Sequence, residues 1–565
     1  MVGEPGKDNR DPDDGNASRP PARPSHIHPR RQSHRAPDGE GGSGSVFGGV
    51  GRWVGNHRKP AEPDHPATAA WVRRPGDRVV RLVQRHRRLR RVLGVSGLFS
   101  TGYGNVGSSI YYALGVTALF ALGAAPIALL AAGVFFVLTV LSYAEATVAV
   151  PEAGGASSFA RRGFNELVSF LAGWATLLSY TVTIAISAYT AVGYLSVFFP
   201  YLDHYPVNAL VAVFVIVSLM TLNIIGVREA ASFSVVFAVI DLSIQVVLVV
   251  VGSIFLLSLP LLIGQIHFGV APTWPNFVAG IAVAMVAYTG IETISNMAEE
   301  SRNPARSVPR AYFGLIFAVL VLFVGISTVA LSAMPIRVEN GSYTTELATS
   351  YLDDPVAGVA HKLPPPFSTV LTPVVSVLAT SILLIGANAG VIGVSRLSFS
   401  MGMHRQLPGF WSLLHPQFLT PYAAIAFFGV AAGLLALTGS ITQMSEIYIF
   451  GATLNFTVAH ASVVGMRVRE PNLNRPFKLP LNVVVRGREI PVLALIGGLG
   501  TAGVWVMMLA GHPFARYVGL SWMVVGLALY VLYRKRNGLP LLVTVPAEPS
   551  PSAEKRPDSQ PARPL

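Results

Sequence analysis

From residue 95 onward the chain is a succession of long apolar runs separated by short polar segments. Twelve such runs fall at about 95–117, 120–145, 167–199, 206–225, 231–259, 277–298, 311–333, 367–395, 421–438, 443–466, 490–510 and 514–533. At 1.5 Å per helical residue, each has the length needed to cross a hydrocarbon layer of about 30 Å. None alternates with a period of two, which excludes a closed antiparallel barrel. The pattern predicts an all-α polytopic membrane protein with twelve transmembrane helices. The second run follows the first almost without a loop. The third, 33 residues long, exceeds an upright crossing and predicts tilt or an interfacial extension.

Composition supports lipid as the solvent. Hydrophobic residues make up 52 % and charged residues 13 % of the 565 residues, against about 25 % charged in soluble domains. Residues 1–94 carry 19 Lys/Arg and 10 Asp/Glu, leaving 23 basic and 19 acidic side chains for the remaining 471. So few charges do not cover a water-facing surface of that length. With no cysteine, thiol chemistry, disulfides and cysteine-ligated metal are excluded. The pI near 10 does not signal nucleic acid, because the basic residues sit in the leading segment and in loops.

The flanks read differently from the spans. Residues 1–70 are rich in Pro, Gly, Ser, Asp, Arg and His without an apolar period and predict a disordered tail. No apolar stretch follows Met1, so no cleaved signal peptide is expected. Residues 71–94 form an Arg-rich juxtamembrane segment, with nine arginines at 73, 74, 78, 81, 85, 87, 88, 90 and 91. Such a cluster predicts contact with anionic lipid on the cytoplasmic side. Residues 534–565 predict a second disordered tail. With the N-terminus inside, the inner loops carry 17 Lys/Arg, against only Arg337, Lys362 and Arg516 outside. That asymmetry predicts both termini in the cytoplasm and twelve spans between them.

A solute site inside such a bundle requires a helix that breaks and frees backbone polar groups. Two spans carry the signal. The first holds Gly102, Gly104, Asn105, Gly107, Ser108 and Ser109; the sixth holds Tyr288, Thr289, Gly290, Glu292 and Ser295. Glycines in membrane helices also serve close packing, but these two segments occupy positions one and six, as two five-helix repeats require. The repeats would cover about 95–259 and 277–466, with two extra helices at 490–533. Gly104, Gly107, Ser108, Ser109, Tyr288, Thr289 and Gly290 are therefore the candidate substrate-binding residues, with Tyr288 closing over the solute or simply packed.

Charges within the spans add further candidates. Asp241, with Gln245 one turn later, is the ion-coupling candidate: it carries a proton, coordinates Na⁺ or pairs with a cationic substrate, or else is a structural partner. Glu292 reads as a brace for the unwound backbone. Glu145 and Glu446 read as gate or bundle-interior groups, and Asn388 and Asn455 as interhelical hydrogen-bonding groups. Nothing in the sequence supports hydrolytic or redox chemistry, a cofactor, a metal site or an ATP-binding loop, so an enzyme is not expected.

The sequence resembles the amino acid–polyamine–organocation superfamily of permeases. Gly107-Ser108-Ser109-Ile110-Tyr111 is similar to its glycine-rich first-helix motif, with Ser109 where a second glycine is common. Tyr143-Ala-Glu145, Val150-Pro-Glu-Ala-Gly-Gly155 and Phe159-Ala-Arg161-Arg162 resemble its segment between helices two and three. Ala287-Tyr-Thr-Gly290-Ile-Glu292, Ala298-Glu-Glu300-Ser-Arg-Asn303-Pro304 and Val308-Pro309-Arg310 resemble its sixth-helix signature. Ser395-Arg396, Leu407-Pro408, His415-Pro416 and Thr420-Pro421 match its eighth-to-ninth helix region. The resemblance spans about 95–533. It implies a LeuT-like 5+5 inverted-repeat core with broken helices 1 and 6, alternating access, and an amino acid as substrate. It maps carboxylate binding onto Gly107, Ser108 and Ser109, and closure onto Tyr288 and Gly290. Proton-coupled members often have a lysine where this chain has Asp241. The expected function is secondary transport of an amino acid or related amine-bearing metabolite across the cell membrane, coupled to H⁺, Na⁺ or K⁺. The alternatives are an importer of K⁺ or another inorganic cation, and a membrane-embedded sensor with a basic tail.

Overall fold

Residues Val95–Ala149 form an apolar stretch of 55 residues, which as one helix would run about 80 Å, far more than a bilayer is thick. Leu122 resolves the mismatch: its φ of 47° and ψ of −130° are not helical, and the chain turns there. This is seen in a computed structural model that describes residues 93–152, 154–226 and 231–544. Before the turn lie α1 (Val95–Val106) and α2 (Ile110–Ala121); after it α3 (Ala125–Ala149) begins with Pro126 in its first turn. Proline suits that position because the first helical N–H groups have no partner to lose.

The short α4 (Ala156–Gly163) leads into α5 (Glu166–Leu195), whose first turn is capped by Asn165 accepting from the Val168 N–H at 3.0 Å. The predicted 33-residue run is therefore shortened. Its end leaves the helix at Ser196 and becomes a turn of 3-10 helix over Pro200–Asp203. α6 (Val207–Ile225) stops at Gly226, which is left-handed at φ 81°. α7 (Ala231–Phe255), the small α8 (Leu259–Gly264) and the pair α9 (Trp274–Ala284) and α10 (Glu292–Asn296) follow. Then come α11 (Pro304–Ala333), a hairpin of β1 (Arg337–Glu339) and β2 (Ser342–Thr344), α12 (Pro355–His361) and the 37-residue α13 (Phe367–Met403). The last part comprises α14 (Tyr422–Ala436), α15 (Ile441–Arg469), a second antiparallel hairpin of β3 (Asn482–Val485) and β4 (Arg488–Pro491), α16 (Val492–Gly511) and α17 (Pro513–Arg536).

Length and apolarity alone give ten candidate membrane spans among the described residues, rather than the predicted twelve. The difference has two sources. The first two predicted spans share the stretch divided at Leu122, and the ninth corresponds to α14, only 15 residues long.

α5 lies at the centre and is buried along nearly its whole length. Its most extensive neighbour is α13. Gly390 and Gly393 allow that approach: a methyl group on either would come within 2.8 Å of Ile184 or the Tyr180 ring. Small residues let membrane helices meet this closely. Peripheral helices instead expose large apolar side chains, among them Phe214, Ile254, Leu499 and Leu532, as lipid-facing surfaces do.

The C-terminal tail departs from expectation. α17 continues to Arg536, and residues 537–544 fold back rather than trailing away. The Tyr530 hydroxyl donates to the Leu541 carbonyl at 2.8 Å, Arg534 Nε to Pro540 O at 2.8 Å, and Glu166 N–H to Val543 O at 2.9 Å. The predicted N-terminal tail 1–70, all but the last two residues of the Arg-rich segment 71–94, and the end of the C-terminal tail lie outside the described residues, as does Arg228, one of the inner-loop basic residues.

Candidate functional site

Of the two predicted interruptions, the sixth is open. α9 tightens into a 3-10 turn over Met285–Tyr288; Thr289 is extended at ψ 160°, Gly290 has φ 99°, and helix resumes at Glu292. L-residues rarely adopt Gly290's conformation. Its space is also taken: a methyl group there would lie 2.8 Å from the Asn105 side chain. Asn105, on α1, donates to Thr293 Oγ1 at 2.7 Å and lies 3.5 Å from the Gly290 carbonyl. A polar side chain of the first span thus holds the opened backbone of the sixth.

The first interruption is milder than a break. Between α1 and α2, Gly107–Ser109 form one turn of 3-10 helix, with Gly107 at φ −63°, ψ −32° and Ser109 at φ −68°, ψ −24°. The path stays helical. Ser108 donates to the Asn105 carbonyl at 2.9 Å, and Ser109 shares a 2.8 Å hydrogen bond with the Tyr112 hydroxyl. Hydroxyls that bond back to a preceding turn are common where helices distort.

Hydroxyl groups from four helices converge at the opening. Thr289 Oγ1 donates to Val286 O at 2.7 Å, and the Tyr112 and Tyr448 hydroxyls lie near it. Tyr448, on α15, accepts from Thr183 of α5 at 2.8 Å. Ser108, Ser187 of α5 and Gly386 of α13 meet on the other side, where a methyl group at Gly386 would lie 3.1 Å from Ser108 Oγ and 3.5 Å from Ser187 Oγ. Ser187 Oγ is buried without a hydrogen-bond partner. Gly104 has room around it: the nearest atom to an added methyl is Ile382 Cδ1 at 3.9 Å.

The remaining predicted residues separate into distinct places. Of its two expected readings, closing over the solute or packed, Tyr288 has the packed arrangement. Its hydroxyl donates to Leu129 O at 2.8 Å, and its ring packs between Phe136 and Phe323. The reason is geometric: 3-10 winding just before the opening turns residue 288 toward α3 and α11. Glu292 stays at the opening, its carboxylate near the N–H groups of Gly290 and Glu292 itself, with Oε2 buried and unpartnered.

Asp241 and Gln245 lie on one face of α7, joined at 2.7 Å, and face the first span. Asp241 accepts from Tyr103 at 3.0 Å and from Tyr111 at 2.6 Å. Its partners are thus two tyrosines and a glutamine, and no cation pairs with it among the described residues. Sequence reasoning missed both tyrosines. Their spacing of eight places them on one helix face, but nothing in a single sequence says which helix lies opposite.

Glu145 belongs to an ion cluster at the end of the bundle where α1 begins. It binds Arg467 of α15 through two bonds of 2.6 and 2.7 Å and accepts from the Leu479 N–H at 2.8 Å; Arg467 also reaches Glu489 at 2.9 Å. Glu446 lies at the opposite end, 2.9 Å from His512 Nδ1. Asn388 accepts from Asn223 of α6 at 2.6 Å, and Asn455 donates to Tyr143 at 3.1 Å, both interhelical bonds.

Helices that depart from regular α-geometry at positions one and six, around a hydroxyl-lined centre buried in a polytopic bundle, are the arrangement of transporters built on two five-helix repeats. Residues 93–532 match the family model described as amino acid permease. The chain belongs to the amino acid permease family, within the amino acid–polyamine–organocation superfamily; it is a multi-pass membrane transporter and not an enzyme. It is 27 % identical over 482 residues to the branched-chain amino acid permease BcaP of Bacillus subtilis, covering 80 % of this chain and 94 % of the relative. It is 26 % identical to the methylthioribose transporter of the same organism, covering 80 % and 95 %. The low-affinity putrescine importer PlaP of Escherichia coli K12 is 25 % identical, covering 74 % and 88 %. Among solved structures, a manganese transporter of Eremococcus coleocola aligns at TM-score 0.47 and 12 % identity, over 78 % of this chain and 93 % of that one.

Proposed function

We propose that this protein carries an amino acid or a related amine-bearing metabolite across the cytoplasmic membrane by alternating access, with both termini on the cytoplasmic side. The observation that carries this reading is the opened backbone at Thr289–Gly290, braced by Asn105 beside the Gly107–Ser109 turn. Backbone that leaves regular helical pairing there, together with the hydroxyls around it, suits the carboxylate and ammonium of such a solute. Two of the relatives, a branched-chain amino acid permease and a putrescine importer, support an amine-bearing cargo.

In this reading Gly104, Gly107, Ser108, Ser109, Thr289 and Gly290 surround the solute, and Asp241 with Gln245 handles the coupling ion. Glu292 braces the opening, and Glu145 and Glu446 hold the two ends of the bundle. The Arg-rich segment 73–91 lies against anionic lipid. A second reading, import of K⁺ or another inorganic cation, draws on Asp241, a buried carboxylate with no cationic partner among the described residues.

Uptake into proteoliposomes, with labelled amino acids, putrescine and a Rb⁺ tracer under imposed pH gradients, separates the two. Accumulation of an amino acid or amine supports the first reading; Rb⁺ uptake without either overturns it.

A further inference from the structure

The arrangement around Asp241 goes beyond a lone carboxylate. Tyr103 lies near the end of α1 and Tyr111 near the start of α2, so the Gly107–Ser109 turn separates them. Eight residues apart, they are about 12 Å apart along a helix, yet both hydroxyls converge on the two oxygens of one carboxylate on α7. Gln245 completes the set, donating to Asp241 Oδ2 at 2.7 Å and lying 3.3 Å from the Tyr111 hydroxyl. The carboxylate thus staples the two halves of the first span together across its weakest turn.

Tyr103 does a second thing. A methyl group at Gly107 would lie 2.8–3.0 Å from three carbons of the Tyr103 ring. The ring is seated on the glycine that the transport reading assigns to the solute. While its hydroxyl is bound to Asp241, the ring stays there.

We propose that Tyr103 and Tyr111 are positioning residues through which the charge on Asp241 controls access to the Gly107–Ser109 turn. This deepens, and rests on, the transport reading above. An ionised carboxylate accepts from all three donors at once, and bonds to a charged acceptor are roughly twice as strong as neutral ones. A proton arriving from solution occupies one carboxylate oxygen as an O–H, weakens every bond to the group and takes one acceptor position. The longest of the three, Tyr103 at 3.0 Å, is released first. The ring then leaves Gly107, and the first span opens at the 3-10 turn.

The titratable groups that face Asp241 are few. From the first span they are Tyr103 and Tyr111. From α5 it is Tyr194, whose hydroxyl donates to the Tyr111 carbonyl at 3.0 Å. From α11, α12 and α13, which also pack on α7, no charged side chain comes within ion-pair distance of it among the described residues.

The absence of cysteine in the chain permits a direct test. Ser108→Cys places a buried thiol inside the turn, and its rate of reaction with a methanethiosulfonate reagent, divided at each pH by that of free cysteine because only the thiolate reacts, is followed in the full-length protein from pH 5 to pH 8, without solute. The expected result is at least fivefold faster labelling at pH 5 than at pH 8. In the Asp241→Asn background labelling is fast and independent of pH; in the Tyr103→Phe background, which keeps the ring and loses the hydroxyl, it is fast at every pH. Either background alone suffices should the other fail to fold. Rates in both that equal the parent's, with the same pH profile, overturn the proposal. Because no solute is present, a failure here is told apart from a failure of uptake: labelling unaltered in both backgrounds removes the switch and leaves the transport reading standing.

Discussion

Single residues decide where the first and sixth spans lose regular helix. Gly290 has a conformation and a neighbour that both refuse a side chain, whereas Gly104 faces space. Tyr288 shows how adjacency in sequence misleads: it touches the opening in the chain yet packs away from it. Replacing Tyr288 by Phe keeps the ring contacts and removes one hydrogen bond, a loss of about 1 kcal/mol. Thermal unfolding of the variant is expected to fall by a few degrees while the KM for uptake stays within twofold. A tenfold rise in KM with unchanged stability would return Tyr288 to the solute.

At the scale of elements, the ion cluster between α3 and α15 joins the two repeats at one end of the bundle. Glu145 and Arg467 are each 2 % exposed, and removing one member of a buried pair typically costs about 3–5 kcal/mol because the other charge loses its partner; here Arg467 would keep only Glu489, itself 48 % exposed. Glu145→Gln is therefore expected to lower the unfolding temperature strongly, and the double variant Glu145→Gln with Arg467→Met to recover part of the loss; equal stability of parent and single variant would contradict this. Elements are also where the sequence was most legible. Apolar runs marked nearly every long helix, since a bilayer demands about twenty apolar residues per crossing. The turn at Leu122 was less legible, because a φ of 47° at leucine comes from tertiary packing and not from local preference. The order of residues 537–544 was hidden for a similar reason: it depends on Glu166 and Tyr530, far away in the chain. Asp241 was readable as an anomaly in an apolar helix, but its tyrosine partners needed the helix arrangement.

For the whole molecule, the loop end opposite the α1 start carries an acidic group outside the spans. Asp353 and Asp354 are half-buried; burial, and for Asp354 the neighbouring Asp353 and Asp203, pushes their carboxyls up to about 6 and about 8. Carboxyls raised on folding bind protons that the unfolded chain releases, so their contribution to stability declines as pH rises from about 4 to about 8. Asp354→Asn is expected to raise the unfolding temperature at pH 8 by several degrees, and by less at pH 5; an equal shift at both would contradict the assignment. At the centre of the bundle the carboxylates Asp241 and Glu292 stand among hydroxyls and opened backbone, which suits a solute held by polar groups. Equilibrium binding of labelled amino acids to purified protein tests that most directly, comparing the parent with Gly104→Val. Saturable binding in the parent, weakened at least tenfold in the variant at unchanged unfolding temperature, is the predicted result. Equal affinity in the two would place the solute somewhere other than between the first and sixth spans.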